Sequence, residues 1–291
     1  QYSEKRRIIW TTQGGILLFI LSVQFTMGNL GNGFIALVNC MDWVNRRKMS
    51  SVDRILTALA ISRIVSVTLL MYILYPALKI TRKVSIVTIT SWIVTNHFSI
   101  WLATSLSIFY FLKVANFSNS IFLFLKWKIG KVVSVTLGLS LVFLFLNILL
   151  VNTHTKVWID MLYSSNLANS TQFSKFLLFN NCMFMLIPFT VSLTAFLLLS
   201  LSLWKHHKKM QQSGIGSRDA STMAHIKALQ TGIAFLLLYA MFLFSFVIVA
   251  LNFEFLEKGI IIFFDFSIGI AFHSSHAFVL ILGNNVGPSC P

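Results

Sequence analysis

Three groups of polar residues interrupt long apolar stretches, and each could carry chemistry. Arg63 ends the run Leu59-Ala60-Ile61-Ser62-Arg63, with apolar residues continuing beyond it. Inside a bilayer such a charge costs at least about 2.5–3.5 kcal/mol, so it must face other helices and pair with polar groups. Asn29 and Asn32, at a similar depth in an earlier apolar segment, are candidate acceptors for its hydrogen bonds. Two readings follow: a structural polar clamp of Asn29, Asn32 and Arg63, or a direct role in a ligand or ion path. Trp92 and Asn96 are four residues apart and share a helix face, and Ser99 continues the stripe. An aromatic ring beside an amide suits a pocket that stacks on and hydrogen-bonds small molecules; the plainer reading is an interfacial tryptophan beside a packing asparagine. Asp265 is either a carboxylate reaching the membrane interface or an anchor for polar or cationic ligands in an outward cavity. Phe242 and Phe246, spaced i, i+4, either line a pocket or pack in the interior.

The elements that must position these residues are membrane helices. The chain has 291 residues, of which 56% are hydrophobic and 11% charged, and its mean hydropathy is +0.80. A soluble domain carries about 25% charged residues, so the apolar surface here must face lipid. A spanning helix needs about 20 apolar residues, and seven with short connections fill roughly 210–260 residues. The reading is therefore a single all-α, seven-transmembrane helix bundle over residues 1–291, with no separate soluble domain. The spans run from about Gly14 to Cys40, Val52 to Leu74, Val84 to Leu112, Val132 to Val151, Phe176 to Trp204, Ala228 to Leu251 and Gly259 to Leu282. Residues 126–131 read as a basic linker, and Asn152 to Ser174 as a stretch too hydrophilic to span. Pro188 removes one backbone hydrogen bond from the fifth span and is a candidate kink.

Charge sets the orientation. One side holds thirteen basic residues against three acids, including Arg46, Arg47, Lys48, Lys126, Lys205 and Lys208; the other holds nine against four. The more basic side is expected in the cytoplasm, which puts residues 1–13 outside as a short extracellular N-terminus and residues 285–291 inside. Lys5, Arg6 and Arg7 pull weakly the other way. Asn169-Ser170-Thr171 matches the glycosylation pattern and falls outside in this topology, whereas Asn116-Phe117-Ser118 falls inside and should stay bare. The net charge of +15 is thus read as topology control and contact with anionic lipid rather than nucleic-acid binding. Cys40, Cys182 and Cys290 suggest no structural disulfide. No phosphate loop, His-Glu pair, nucleophile elbow or metal-ligand spacing occurs, so neither an enzyme nor a cofactor or metal is expected.

Several stretches together resemble the bitter taste receptors, the type 2 taste receptor branch of the G-protein-coupled receptors. They are Gly28-Asn29-Leu30-Gly31-Asn32-Gly33-Phe34, Leu59 to Arg63, Asn96 to Ser118, Ile187-Pro188-Phe189, Lys205 to Gln211, His225 to Leu229 and His276 to Asn284. The likeness covers about residues 25–284. It implies a plasma-membrane, multi-pass receptor that senses bitter small molecules and activates gustducin-type heterotrimeric G proteins. It also implies a ligand pocket lined at Trp92, Asn96, Phe242, Phe246, Asp265 and Phe266, with glycosylation at Asn169. The G-protein side would comprise Tyr110 and Lys113 at the foot of the third span, Lys205, His206, Lys208 and Lys209 after the fifth, and His225 and Lys227 before the sixth. The sequence departs from the family in its longer, basic start, in His273 where a proline is usual, and in the atypical tail 285–291, which bears on coupling and surface delivery. The competing reading is a multi-pass secondary transporter using Arg63 and Asp265; seven spans and a single mid-span proline argue against it.

Overall fold

The computed structural model describes residues 2–46, 49–74, 82–163, 168–212, 220–252 and 258–284, with only the backbone described toward several helix ends. Among them are α1 (Tyr2–Arg46), α2 (Ser51–Leu74), α3 (Arg82–Val114), α4 (Ser120–Trp127), α5 (Ile129–Tyr163), α6 (Ala168–Gln212), α7 (Ala220–Asn252) and α8 (Lys258–Asn284). Within a bilayer every backbone group must be satisfied inside the chain, and continuous helices achieve this. Five stretches, Ser51–Tyr72, Thr90–Val114, Ile129–Thr153, Phe179–Lys205 and Leu229–Ile248, are long and apolar enough to cross a membrane, and Ser267–Ile281 is a shorter apolar one. The protein is a multi-pass membrane protein.

Two expected connections are helical instead. The linker around Lys126 contains α4, and the hydrophilic stretch 152–174 is divided between the end of α5 and the start of α6. Hydropathy reports whether a segment suits lipid, not whether it is helical, and a helix continues past the bilayer when nothing breaks it. Residues 164–167 of that stretch lie outside the described residues. Local signals do set several starts. At α2 the Ser50 N–H donates to Asp53 Oδ2 and the Asp53 N–H to Ser50 Oγ, both at 3.1 Å, a reciprocal cap. At α4 the Asn119 side chain accepts from the Ile121 N–H at 2.9 Å.

α3 is the hub, touching α2, α5, α6 and α7. Inside the bundle 61% of its apolar stretch is buried, against 22% for α5, which lies at the periphery. Large apolar side chains such as Phe19, Phe145, Leu237 and Phe244 point outward and form the lipid-facing girdle. The interior joins Leu59, Ile100, Leu106, Phe235, Tyr239 and Phe272, residues from α2, α3, α7 and α8. Cys40 and Cys182 are free thiols, and Cys290 lies outside the described residues.

α1 meets α8 through small residues. A Cβ on Gly28 would overlap Ser274 Oγ and lie 2.9 Å from Ser274 Cβ, and one on Gly31 would lie 3.3 Å from Ala277 Cβ. Close approach through glycine is a common means of helix association where lipid removes the hydrophobic drive. Gly28→Val is therefore expected to pry α1 from α8 at a cost of about 1–3 kcal/mol, the range for overpacking a tight contact. A lower melting temperature of the purified variant in detergent would register it; an unchanged one would show that α1 yields freely.

Candidate functional site

Two polar regions are built into the apolar bundle. The first is a layer around Arg63, which is fully buried. Its Nε donates to Ser99 Oγ at 3.3 Å, and its Nη1 lies 2.6 Å from His276 Nδ1. Ser99 Oγ also lies 3.3 Å from His273 Nδ1, and the guanidinium sits 6.0 Å from the Phe272 ring centre. Asn32 Nδ2 donates to the Gly28 carbonyl at 2.9 Å and reaches the His273 carbonyl at 3.4 Å. Arg63 thus ties α2 to α3 and α8, with α1 joined only through Asn32 and the α8 backbone. The expected acceptors change accordingly. Asn29 donates to the Phe25 carbonyl of its own helix at 3.0 Å and does not hydrogen-bond Arg63. An asparagine on a helix readily turns back to its own preceding turn. Ser99 belongs to this layer, not to an open pocket.

The second region is a narrow cleft between α3, α5 and α6, about 300 Å³ when the open space at its mouth is included, lined by Asn96, His97, Trp101, Asn147, Asn181 and Pro188 among others. Asn180 Nδ2 donates to Asn147 Oδ1 at 2.9 Å, and Asn147 Nδ2 to Asn181 Oδ1 at 3.4 Å. This chain of amides fixes the α5–α6 wall. Trp101 stacks on Phe143 at 5.8 Å and supplies an apolar side. Asn96 Oδ1 and His97 Nε2 are buried and have no hydrogen-bond partner among the described residues.

The stripe Trp92-Asn96-Ser99 is therefore divided. Ser99 faces α2 and α8, Asn96 lines the cleft, and Trp92 stacks on Phe246 of α7 at 6.3 Å. Phe242 and Phe246, 5.1 Å apart, are buried, and Phe242 lies flat against Phe272 at 4.9 Å. One stripe reaches three neighbours because α3 is enclosed on nearly every side. Asp265 and Phe266 lie on α8 with their side chains outside the described residues, as does the side chain of Asn169 on α6.

Pro188 borders the cleft from within the continuous α6. It cannot donate to the Phe184 carbonyl one turn back, and the ladder is weakened around it. Neighbouring helices supply hydroxyls there. Tyr239 O–H donates to the Met185 carbonyl at 2.6 Å, Thr104 O–H reaches the Pro188 carbonyl at 3.4 Å, and Ser192 O–H donates to Thr104 Oγ1 at 3.0 Å. The two carbonyl bonds brace the turn from α7 and α3, though neither goes to the Phe184 carbonyl itself.

At the basic end of the bundle Lys126 Nζ donates to the Ala115 carbonyl and to Asn116 Oδ1, both at 2.8 Å, and the Asn116 N–H donates to Ser202 Oγ at 3.0 Å. The foot of α3 is thereby tied to α4 and α6. Lys113, Lys205 and Lys208 are exposed. Tyr110 is half-buried and lines a second cleft of about 440 Å³ together with Phe196, Thr231 and His276. The side chains of His206, Lys209, His225 and Lys227 lie outside the described residues.

Sequence reasoning missed His97, Asn147, Asn180, Asn181 and His276 as site residues, and treated His273 only as a departure from a pattern. A usable signal existed: Asn147 is an amide deep in the fourth apolar stretch, and Asn180-Asn181 enters the fifth. Polar side chains inside spans face the bundle and find one another.

A family model described as Taste receptor protein (TAS2R) matches residues 9–286. Taste receptor type 2 member 110 of Mus musculus is 50% identical over 306 residues, covering 96% of this chain and 92% of the relative. Taste receptor type 2 member 140 of Rattus norvegicus is 52% identical, covering 92% of this chain and 89% of the relative. Taste receptor type 2 member 14 of Homo sapiens is 52% identical, covering 92% and 87% respectively.

Proposed function

The chain belongs to the type 2 taste receptor family, and from that premise we propose that it is a plasma-membrane receptor that senses bitter small molecules and activates a gustducin-type heterotrimeric G protein. The family is one of receptors rather than enzymes. The observation that carries the ligand-sensing reading is the cleft among α3, α5 and α6, with polar groups set in apolar walls, as small-molecule sites require. Asn96 lines it directly; Trp92, Phe246 and Phe242 form the aromatic column beside it that positions α3 against α7. A ligand in this cleft meets α6 beside Pro188, and α6 runs on to the exposed Lys205 and Lys208. A compound that favours one arrangement of α6 shifts the population toward it and so alters the surface offered to the G protein. That surface comprises Tyr110, Lys113, Lys205, His206, Lys208, Lys209, His225 and Lys227.

In this reading the chain crosses seven times, and the charge count puts the N-terminus outside and the C-terminus in the cytoplasm. Asn169→Gln is then expected to remove a glycosidase-sensitive mass shift on gels, and Asn116→Gln to leave it unchanged. The reverse result would invert the topology. Asn116 is in any case held by Lys126 at the opposite end.

The transporter reading loses its main support, because Arg63 is fully buried and engaged by Ser99 and His276. The deciding experiment is a calcium-release screen of chemically varied bitter compounds, in cells with and without a gustducin-type G protein. Responses that require the G protein are expected. Substrate or proton flux in liposomes bearing the protein alone would overturn the receptor reading.

A further inference from the structure

We propose that α4 is an interfacial anchor whose outer face binds the headgroup of an anionic phospholipid, with Lys128 and Lys131 as the charged contacts and Phe124 and Trp127 as the apolar shelf. The placement follows from the chain. The apolar stretch of α3 ends at Val114 and that of α5 begins at Ile129, so the segment between them, α4 included, lies where the bilayer ends. Its inner side holds Phe122, packed on Phe111 and Phe117 at 5.6 and 5.2 Å, and Lys126, which reaches the foot of α3. Its outer side carries Ile121, Leu123, Phe124 and Trp127, all exposed, with Trp127 80% exposed. In water four such side chains on an eight-residue helix would be a liability. At a bilayer edge they continue the lipid-facing girdle, which runs on along α5 through Val135, Leu139 and Val142. Tryptophan favours that depth, because its amphipathic ring suits the headgroup level.

Charge selects the lipid. Lys128 Nζ lies 4.7 Å from the Phe124 ring centre and 5.4 Å from that of Trp127. Aromatic faces hold an ammonium in place but leave its charge unneutralised. Lys131, three residues on in the first turn of α5, is exposed. No Asp or Glu occurs between Asp53 and Asp160, so α3, α4 and the membrane stretch of α5 carry no carboxylate of their own to answer these lysines. An anionic phospholipid supplies the anion through its headgroup and covers Leu123 and Trp127 with its acyl chains; a soluble anion does only the first. Such lipids belong to the cytoplasmic leaflet, so their identification rests on the orientation proposed above, whereas the interfacial position of α4 does not. Lys126 joins α4 to Ala115 and Asn116, and Asn116 joins Ser202 of α6. A lipid seated on α4 therefore braces the foot of α3 against α6.

The test places the purified full-length receptor in phosphatidylcholine vesicles containing a fixed fraction of acyl-brominated phosphatidylcholine or acyl-brominated phosphatidylserine, and reads tryptophan fluorescence. Bromine quenches on contact, and the quenching that disappears in Trp127→Phe belongs to Trp127 among the seven tryptophans. Both lipids should quench Trp127. The serine lipid should be preferred at least about fivefold, the effect of one basic residue at an anionic surface. Lys128→Gln should remove most of that preference, and Lys128→Gln combined with Lys131→Gln all of it. Arg54→Gln, at an exposed basic residue of α2 outside α4, should leave it intact. Equal quenching by the two lipids in wild type overturns the anionic site, and so does a preference that Arg54→Gln weakens as much as Lys128→Gln. No quenching of Trp127 by either lipid overturns the interfacial anchor; protection of Trp127 by added G protein would then make this face a protein contact. The wild-type comparison decides the chemistry even if a variant fails to fold. Because the vesicles carry the serine lipid in both leaflets, an inverted topology in the glycosylation experiment leaves this result untouched, and the two readings fail separately.

Discussion

Arg63→Ala is expected to leave little folded receptor at the cell surface. Two effects oppose each other. Removing a charge from α2 eases its insertion by the roughly 2.5–3.5 kcal/mol that an arginine costs at mid-membrane. Insertion is not the limiting step, however, because Ser51–Tyr72 already has a mean hydropathy of 1.9. The assembled bundle bears the loss. Arg63 is among its largest fully buried side chains, and truncation opens a cavity between α2, α3 and α8. Removing a large buried side chain costs about 3–5 kcal/mol, and Ser99 and His276 then lose a partner at about 1–3 kcal/mol each. Arg63→Met refills much of the space without restoring the hydrogen bonds and should fall between the two. Surface labelling, with size-exclusion profiles of tagged receptor, ranks the three proteins. Wild-type levels of Arg63→Ala, with loss of response to a single agonist class, would make Arg63 a ligand contact and not a clamp.

Asn96→Ala should shift agonist response to concentrations roughly tenfold to a hundredfold higher while leaving surface level near wild type. Asn96 lines the cleft, and its Oδ1 has no partner to lose among the described residues. Its removal therefore costs the ligand more than the fold; one hydrogen bond to a buried group accounts for about 1–3 kcal/mol. Trp92→Ala should behave differently. Trp92 is half-buried and stacks on Phe246, so its truncation loosens α3 from α7 and should lower surface level along with response. Dose–response curves normalised to surface-labelled receptor separate the two. A normal curve for Asn96→Ala would remove the cleft from ligand recognition.

Much of the architecture was legible because lipid imposes a simple rule: long apolar stretches become helices and their basic flanks mark the ends. The same rule hid what lies beyond the bilayer. Residues 152–163 and 168–174 are helical although polar, and α4 went unread even though Asn119 stands directly before it as a cap. The site was legible by residue type but not by partner. Arg63 announced that it needed polar company, yet one of its partners, His276, lies more than two hundred residues away, and a nearer candidate, Asn29, bonds its own helix. Helix periodicity correctly put Trp92 and Asn96 on one side of α3. It could not say that this side meets several neighbours, because that follows from α3 lying at the centre of the bundle.

The turn around Pro188 has an electrical consequence. Its connections to α3 and α7 run through Thr104, Ser192 and Tyr239 hydroxyls and through backbone carbonyls, none of which bears a formal charge. A charge moved across the bilayer exchanges about 2.3 kcal/mol with each 100 mV of membrane potential. Repacking at this turn moves dipoles alone. A switch confined to this turn would carry no formal charge through the membrane field and would draw no work from the potential.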